Sequence, residues 1–251
     1  IYLYYCISDY VSEGKKMKEL IRREINDPVI LILVLIGSLL AGIEFKENLL
    51  TFAMQMSTTH PLLPPYGISS SILKLFTERT YSVLAFLMPL LATLSIRQDR
   101  DSGVAFVVYS LPYRKWEILF SKFIAIYSIS VLFFTTTHIV IFLLHFSATP
   151  IIAVEAIKLK LSLLFVFYFL LLVFMCSLSS LIAILVPNSS VSLLLGFFFL
   201  YLPTILGISI IPWHEFISEE ISFMEFAVPT VAFTLVCLSL FLIIGSRRDV
   251  V

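Results

Sequence analysis

The stretch from Arg97 to Lys122, RQDRDSGVAFVVYSLPYRKWEILFSK, decides the fold, because it is a charged, helix-breaking interruption in a chain that is otherwise soluble in lipid. On both sides of it lie apolar runs near the ~20 residues that cross a bilayer as a helix. Over all 251 residues, 59% are hydrophobic and 14% are charged, against roughly 25% charged in an average soluble protein. Mean hydropathy is +1.01. A water-soluble fold could not bury so much apolar surface, so the composition implies an all-α integral membrane protein and excludes a sizeable soluble catalytic domain.

Working outward, hydropathy and turn signals place six transmembrane helices at about 28–45, 79–96, 116–146, 159–186, 191–211 and 224–245. Pro28 suits the first turn of the first helix, where its missing N–H is not needed. Pro187, Asn188 and two serines mark a tight turn between the fourth and fifth spans. The fourth expected span is longer than the ~30 Å hydrocarbon core requires, so it must tilt or protrude. The stretch from Lys46 to Glu78, with four prolines or histidines at His60, Pro61, Pro64 and Pro65, reads as irregular cover outside the membrane, with a short helix near Ile68–Phe76. Residues 1–16 are read as an N-terminal extension of uncertain status, and 17–251 as a single transmembrane domain.

Lys and Arg orient the bundle, because short loops rich in them stay in the cytoplasm. With both termini inside, the cytoplasmic side collects Lys15, Lys16, Lys18, Arg22, Arg23, Arg97, Arg100, Arg114, Lys115, Arg247 and Arg248, with Lys122 at the border. Only Lys46, Lys74, Arg79, Lys158 and Lys160 fall outside. The expected location is the plasma membrane, with cytoplasmic N- and C-termini. With 17 Lys+Arg against 17 Asp+Glu the chain has no net charge, so nothing argues for nucleic acid as a partner.

Two cytoplasmic segments are amphipathic. Residues 17–27, MKELIRREIND, put Met17, Leu20, Ile21 and Ile25 on one helical face, with Arg22, Arg23 and other charges around it. Such a helix lies flat on the inner leaflet, its Lys and Arg against anionic lipid, until Asn26-Asp27-Pro28 turns the chain into the membrane. In the second segment, after Asp99 and Arg100, Asp101 or Ser102 can cap a short helix in which Val104, Val107, Val108 and Leu111 fall at i, i+3, i+4 and i+7. Phe106 and Tyr109 point elsewhere, an aromatic surface flanked by charge of the kind enriched at protein contacts. Leu111-Pro112 then ends the helix, and Tyr113-Arg114-Lys115 leads into the third span.

The order of these pieces resembles the membrane subunit of type-two ABC exporters. An amphipathic helix ends in RREINDP, and two spans follow. Next come the acidic-x-Gly step Asp101-Ser102-Gly103, a short apolar helix, and Leu111, Pro112, Arg114 and Lys122. The likeness runs from about Met17 to Arg248, with Asp101 standing where Glu is commoner. The resemblance implies that Leu20, Ile21, Arg22, Arg23 and Ile25 belong to an elbow helix. It implies that Asp99, Arg100, Asp101, Gly103, Val104, Phe106, Val107, Val108, Tyr109, Leu111, Pro112 and Arg114 form a coupling helix that docks on an ATP-hydrolysing subunit. Two permease subunits, identical or related, would pair with two such ATPases. ATP and Mg would sit on the partner, and this chain would bind no cofactor, have no catalytic role and drive export.

No G-x-x-x-x-G-K-[ST] phosphate loop occurs in the chain. Neither do HExxH, a Gly-x-Ser-x-Gly turn or paired intramembrane carboxylates, which an intramembrane hydrolase or transferase would need. Cys6, Cys176 and Cys237 have no metal or redox spacing. Candidate pathway residues are His138 and His145, seven apart in the third span. They read either as proton or metal contacts, or as a bundle hydrogen bond and a headgroup contact. The hydroxyls Thr135, Thr136, Thr137, Ser177, Ser179 and Ser180 can bond to their own helices or support packing. Glu215, Glu219, Glu220 and Glu225 crowd an outer loop near Trp213, as a cation mouth or as a solvated loop anchored by the indole. The same architecture also fits non-export coupling (immunity, cofactor maturation, surface assembly), and a stand-alone secondary transporter is a further alternative.

Overall fold

The computed structural model describes residues 21, 22, 25, 31–43, 80–101, 114–141, 150–206, 211–217 and 220–247. For some helical positions, Asp99, His138 and 150–165 among them, the description is of backbone only. All regular structure among these residues is helical. Helix α1 is Leu31–Ile43 and α2 begins with Thr80–Arg97. The last five residues of that stretch, Thr93–Arg97, form a π-helical turn, and one further α turn, Gln98–Asp101, follows. Then come α3 (Lys115–Ile141), α4 (Pro150–Leu185), α5 (Ser189–Leu206), the short α6 (Trp213–Ile217) and α7 (Phe223–Arg247).

Helix starts follow local chemistry. Arg114 takes the position before α3, where its backbone N–H donates to Glu117 Oε2 at 2.9 Å while its carbonyl accepts from Glu117 N. This is the reciprocal half of a capping box. Asn188 caps α5, its Oδ1 accepting from the N–H groups of Ser190 (2.8 Å) and Val191 (3.3 Å). At α7 the pair is Ser222 and Glu225. Glu225 Oε2 accepts from Ser222 N at 2.6 Å and from Ser222 Oγ at 2.8 Å. Pro187 follows the end of α4 with only Val186 between, and closes the helix.

Among the described residues, four helical stretches are long and apolar enough to cross a bilayer: Thr80–Arg97, Lys115–Thr137, Val166–Leu185 and Phe223–Arg247. Helices α1 and α5 supply shorter apolar segments where the first and fifth spans are expected. The fourth helix begins at Pro150, nine residues before the start expected at 159, and its 36 residues make a rod of about 54 Å. Glu155, Lys158 and Lys160 therefore belong to the helix and not to a preceding loop.

Helix α4 is the axis of the bundle: 72% of its Val166–Leu185 stretch is buried, against 28% of α7. It packs on α3, α5, α7 and the π turn. Its Phe167, Leu171 and Met175 meet a common core with Leu84 and Met88 of α2, Leu119 and Phe133 of α3, and Phe226 and Phe241 of α7. Lipid gives no hydrophobic drive to join apolar helices, so close backbone approach matters. Gly196 of α5 is such a point: a Cβ there would lie 2.7 Å from Pro89 Cβ of α2. At Gly37, in α1, a Cβ would lie 3.0 Å from the Phe133 ring of α3. The outward residues of α7, Val228, Leu235, Val236 and Ile243, remain exposed, as a lipid-facing helix requires.

Candidate functional site

The charged end of α2 is built into the bundle through polar contacts with two other helices. Inside the π turn, Thr93 Oγ1 lies 3.2 Å from Ser192 Oγ of α5, both side chains buried. Two residues on, the carbonyl of Ser95 accepts a hydrogen bond from Lys122 Nζ of α3 at 2.5 Å. Lys122 is only 3% exposed. Placed at the border of the third span by the sequence, it is enclosed by protein, where a polar side chain is tolerated only with hydrogen-bond partners.

At the end of the following α turn, Asp101 uses both oxygens. Its Oδ1 pairs with Arg97 Nη2 at 2.6 Å, one turn back on its own helix. Its Oδ2 accepts from Ser189 N at 3.2 Å and from Ser189 Oγ. The first turn of α5 is thus capped twice, by Asn188 within the chain turn and by Asp101 from α2. The Ser189 hydroxyl and, with it, the Arg97 guanidinium hold the Asp101 carboxyl below its ordinary value, burial opposing them. Arg100 is half-buried beside this junction, with Nε and Nη2 lacking a partner among the described residues.

Of the coupling-helix positions, Asp99, Arg100, Asp101 and Arg114 lie in described elements. Gly103, Val104, Phe106, Val107, Val108, Tyr109, Leu111 and Pro112 lie outside the described residues. Asp101, which the spacing offered as a cap for the helix after it, has its carboxylate on Arg97 and on the start of α5. In the elbow segment Ile21, Arg22 and Ile25 are helical, with Arg22 exposed and Ile25 packed against the core; Leu20 and Arg23 lie outside the description. The proposed outer loop, with its short helix near Ile68–Phe76, lies outside it as well.

His138 sits in α3 with its side chain undescribed, and His145 is outside the described residues. The hydroxyls around them divide. Thr135, Thr136 and Ser177 bond back to carbonyls of their own helices, those of Val131, Leu132 and Phe174, the self-satisfying pattern expected in lipid. Thr137 reaches across to Ser38 Oγ of α1 at 3.2 Å. Ser179 and Ser180 are buried with no hydrogen-bond partner among the described residues. A further polar set escaped the sequence reading: Ser130 Oγ lies 2.9 Å from Met88 Sδ, and Cys176 Sγ lies 3.7 Å from the same sulfur.

At the opposite end, Trp213 is buried and not displayed to lipid. It stacks on Tyr81 at 4.3 Å between ring centroids, while the Tyr81 hydroxyl donates to the Leu200 carbonyl at 2.8 Å. Phe216, one turn along α6, stacks on Phe167 and Phe226 at 5.1 and 5.3 Å. Short helix α6 thereby closes this end of the bundle with aromatic contacts. Glu225, read as part of an acidic cluster, serves the α7 cap.

These features define a polytopic all-helical membrane protein whose polar architecture is concentrated where α2 leaves the bundle. A family model of the ABC-2 family transporter proteins matches residues 15–245. The match covers nearly the whole chain, and the chain belongs to that family. No curated protein matches it.

Proposed function

We propose that the chain is the permease subunit of an ATP-driven export complex, with six spans, an elbow helix at 17–27, cytoplasmic termini and a coupling helix after α2. It pairs with a second permease subunit, identical or related, and each docks on a separate ABC ATP-binding subunit that carries ATP and Mg. The observation that carries this reading is the match to the ABC-2 transporter family over 15–245. It is supported by the end of α2, where Ser95 is held by Lys122 of α3 and the charged Arg97–Asp101 turn is fastened to α5 instead of hanging as a loop. A segment that receives force from a partner needs such fixation to the spans it must move.

In this mechanism the two nucleotide states of the ATPase have different affinities for two arrangements of the docking segment, and that difference shifts the membrane helices between inward and outward openings. The chain itself does no chemistry: it binds the ATPase and shapes the path. His138 and His145 remain candidate pathway contacts. The test is purification from the native membrane in mild detergent, followed by mass spectrometry, with Arg100→Glu as control. A stoichiometric ATPase bearing the phosphate-binding loop, lost in the variant, supports the reading. An intact, abundant permease with no ATPase overturns it in favour of a stand-alone transporter.

A further inference from the structure

We infer that Asp101 is a positioning residue that locks the start of α5 to the end of α2, so that movement of the docking segment is delivered directly to α5. The inference rests on the permease reading for the source of that movement. Its own basis is the geometry at Ser189.

Asp101 and Ser189 are 88 residues apart in sequence, yet the Asp101 carboxylate accepts both the backbone N–H and the hydroxyl of Ser189. An N–H in the first helical turn has no partner within its own helix. Asn188 Oδ1 accepts from Ser190 and Val191, so Ser189 N–H is the donor left for an outside acceptor. Arg97, pairing with the other Asp101 oxygen, fixes the carboxylate in the orientation that reaches it. Farther into the bundle, Thr93 and Ser192 make a second contact between the same two helices, 3.2 Å apart and buried. Deeper still, the ring of Pro89 lies directly against Gly196. The three contacts follow one seam, at 101/189, 93/192 and 89/196, and the seam ends in the turn that opens the docking segment. Helices α2 and α5 therefore behave as one lever, and Asp101 is its outermost fastening.

Ser189 provides a clean test because it occupies the first helical position, where proline is well tolerated. Ser189→Pro removes both donors to Asp101 and leaves the Asn188 cap and the docking segment untouched. Ser189→Thr keeps both donors, and Ser189→Ala keeps the N–H alone. Amide hydrogen exchange is read by mass spectrometry on the complete permease with its copurified ATPase, without nucleotide and with ATP plus vanadate. Without nucleotide, Ser189→Pro should speed exchange at 98–101 and at the start of α5 by about fivefold or more, as expected for loss of a charge-assisted hydrogen bond. Ser189→Thr should match the unmodified chain and Ser189→Ala should fall between. With nucleotide trapped, the unmodified complex should change at both segments, and the Ser189→Pro complex at 98–101 only.

If the Ser189→Pro complex responds to nucleotide at α5 as the unmodified complex does, the locking role is overturned. Unaltered exchange in the nucleotide-free variant overturns it too. Absence of any nucleotide effect at 98–101 in the unmodified complex counts against the permease reading instead. The nucleotide-free arm then still decides the contact itself.

Discussion

Lys122 Nζ of α3 donates to the main-chain carbonyl of Ser95, inside the π turn of α2. A buried side chain carrying charge thus satisfies backbone in the one stretch of α2 that departs from α geometry. Replacing Lys122 by Met keeps most of the volume and leaves that carbonyl without this donor. The variant should lose about 1–2 kcal/mol of stability, the net worth of one buried hydrogen bond. It is read as a lower unfolding temperature in detergent; an unchanged or higher temperature would show that the lysine is not structural.

Gly196 and Gly245, each packed closely against another helix, should respond differently to alanine. At Gly196 the added carbon meets the ring of Pro89 at 2.7 Å, and a proline ring has no rotamer to escape into. At Gly245 it meets the tip of Leu119 at 2.5 Å, which can rotate away. Gly196→Ala should therefore destabilise by about 1–3 kcal/mol and Gly245→Ala by less. The two unfolding temperatures measured side by side check the order, and a reversed order refutes the rigid seam between α2 and α5.

Tyr81 and Trp213 should prove unequal partners. Trp213→Ala removes a buried, stacked ring and should cost about 3–5 kcal/mol; Tyr81→Phe removes only the bond to the Leu200 carbonyl and should cost about 1 kcal/mol. With Trp116 replaced by Phe, Trp213 is the remaining indole of the two in the chain. Its emission should shift to the red in Tyr81→Ala but not in Tyr81→Phe. A red shift in both would place the stabilising contact elsewhere.

The Asp101 contact carries its own pH signature. Its carboxyl is held below the ordinary aspartate value of 3.8, first by Ser189 and also by Arg97. A depressed carboxyl contributes stability above the unfolded value and loses it as pH falls through the folded one. Protection at 98–101, corrected for intrinsic exchange, should be flat from neutral pH down to about 4 and decline only below that. A decline already at pH 6 would point to a different titrating group.

Orientation can be tested independently of any partner. Cysteine introduced at Ser102 should react with a membrane-impermeant maleimide only from the cytoplasmic side, and cysteine at Ser218 only from outside. Both expectations come from the placement of Lys and Arg. The opposite pattern would invert the whole arrangement.

Hydropathy made the long helices legible, since apolar length is a local property and α2, α3, α4 and α7 lie close to where the runs predicted. The early start of α4 at Pro150 was hidden because Lys158 and Lys160 count as charges outside the membrane, and the expected span begins between them at 159. Helix geometry is indifferent to polarity once a rod leaves the hydrocarbon layer. The inward course of Lys122 was hidden for a similar reason: its partner is a carbonyl, which every residue has and no side-chain pattern announces. The Asp101–Ser189 pair joins positions too distant in sequence for any periodicity to connect.

A π turn accommodates what amounts to one inserted residue in an α helix, and one residue corresponds to about 100° of rotation. The turn at Thr93–Arg97 therefore sets the angular phase of everything that leaves the C-terminal end of α2. A deletion of one residue between 93 and 97 would restore an unbroken helix and swing Asp101 about a quarter of a revolution away from Ser189. Relatives whose second helix runs straight should accordingly show a single-residue gap at this point when aligned with this chain. Their counterpart of Asp101 would face a different neighbour even where the surrounding letters match.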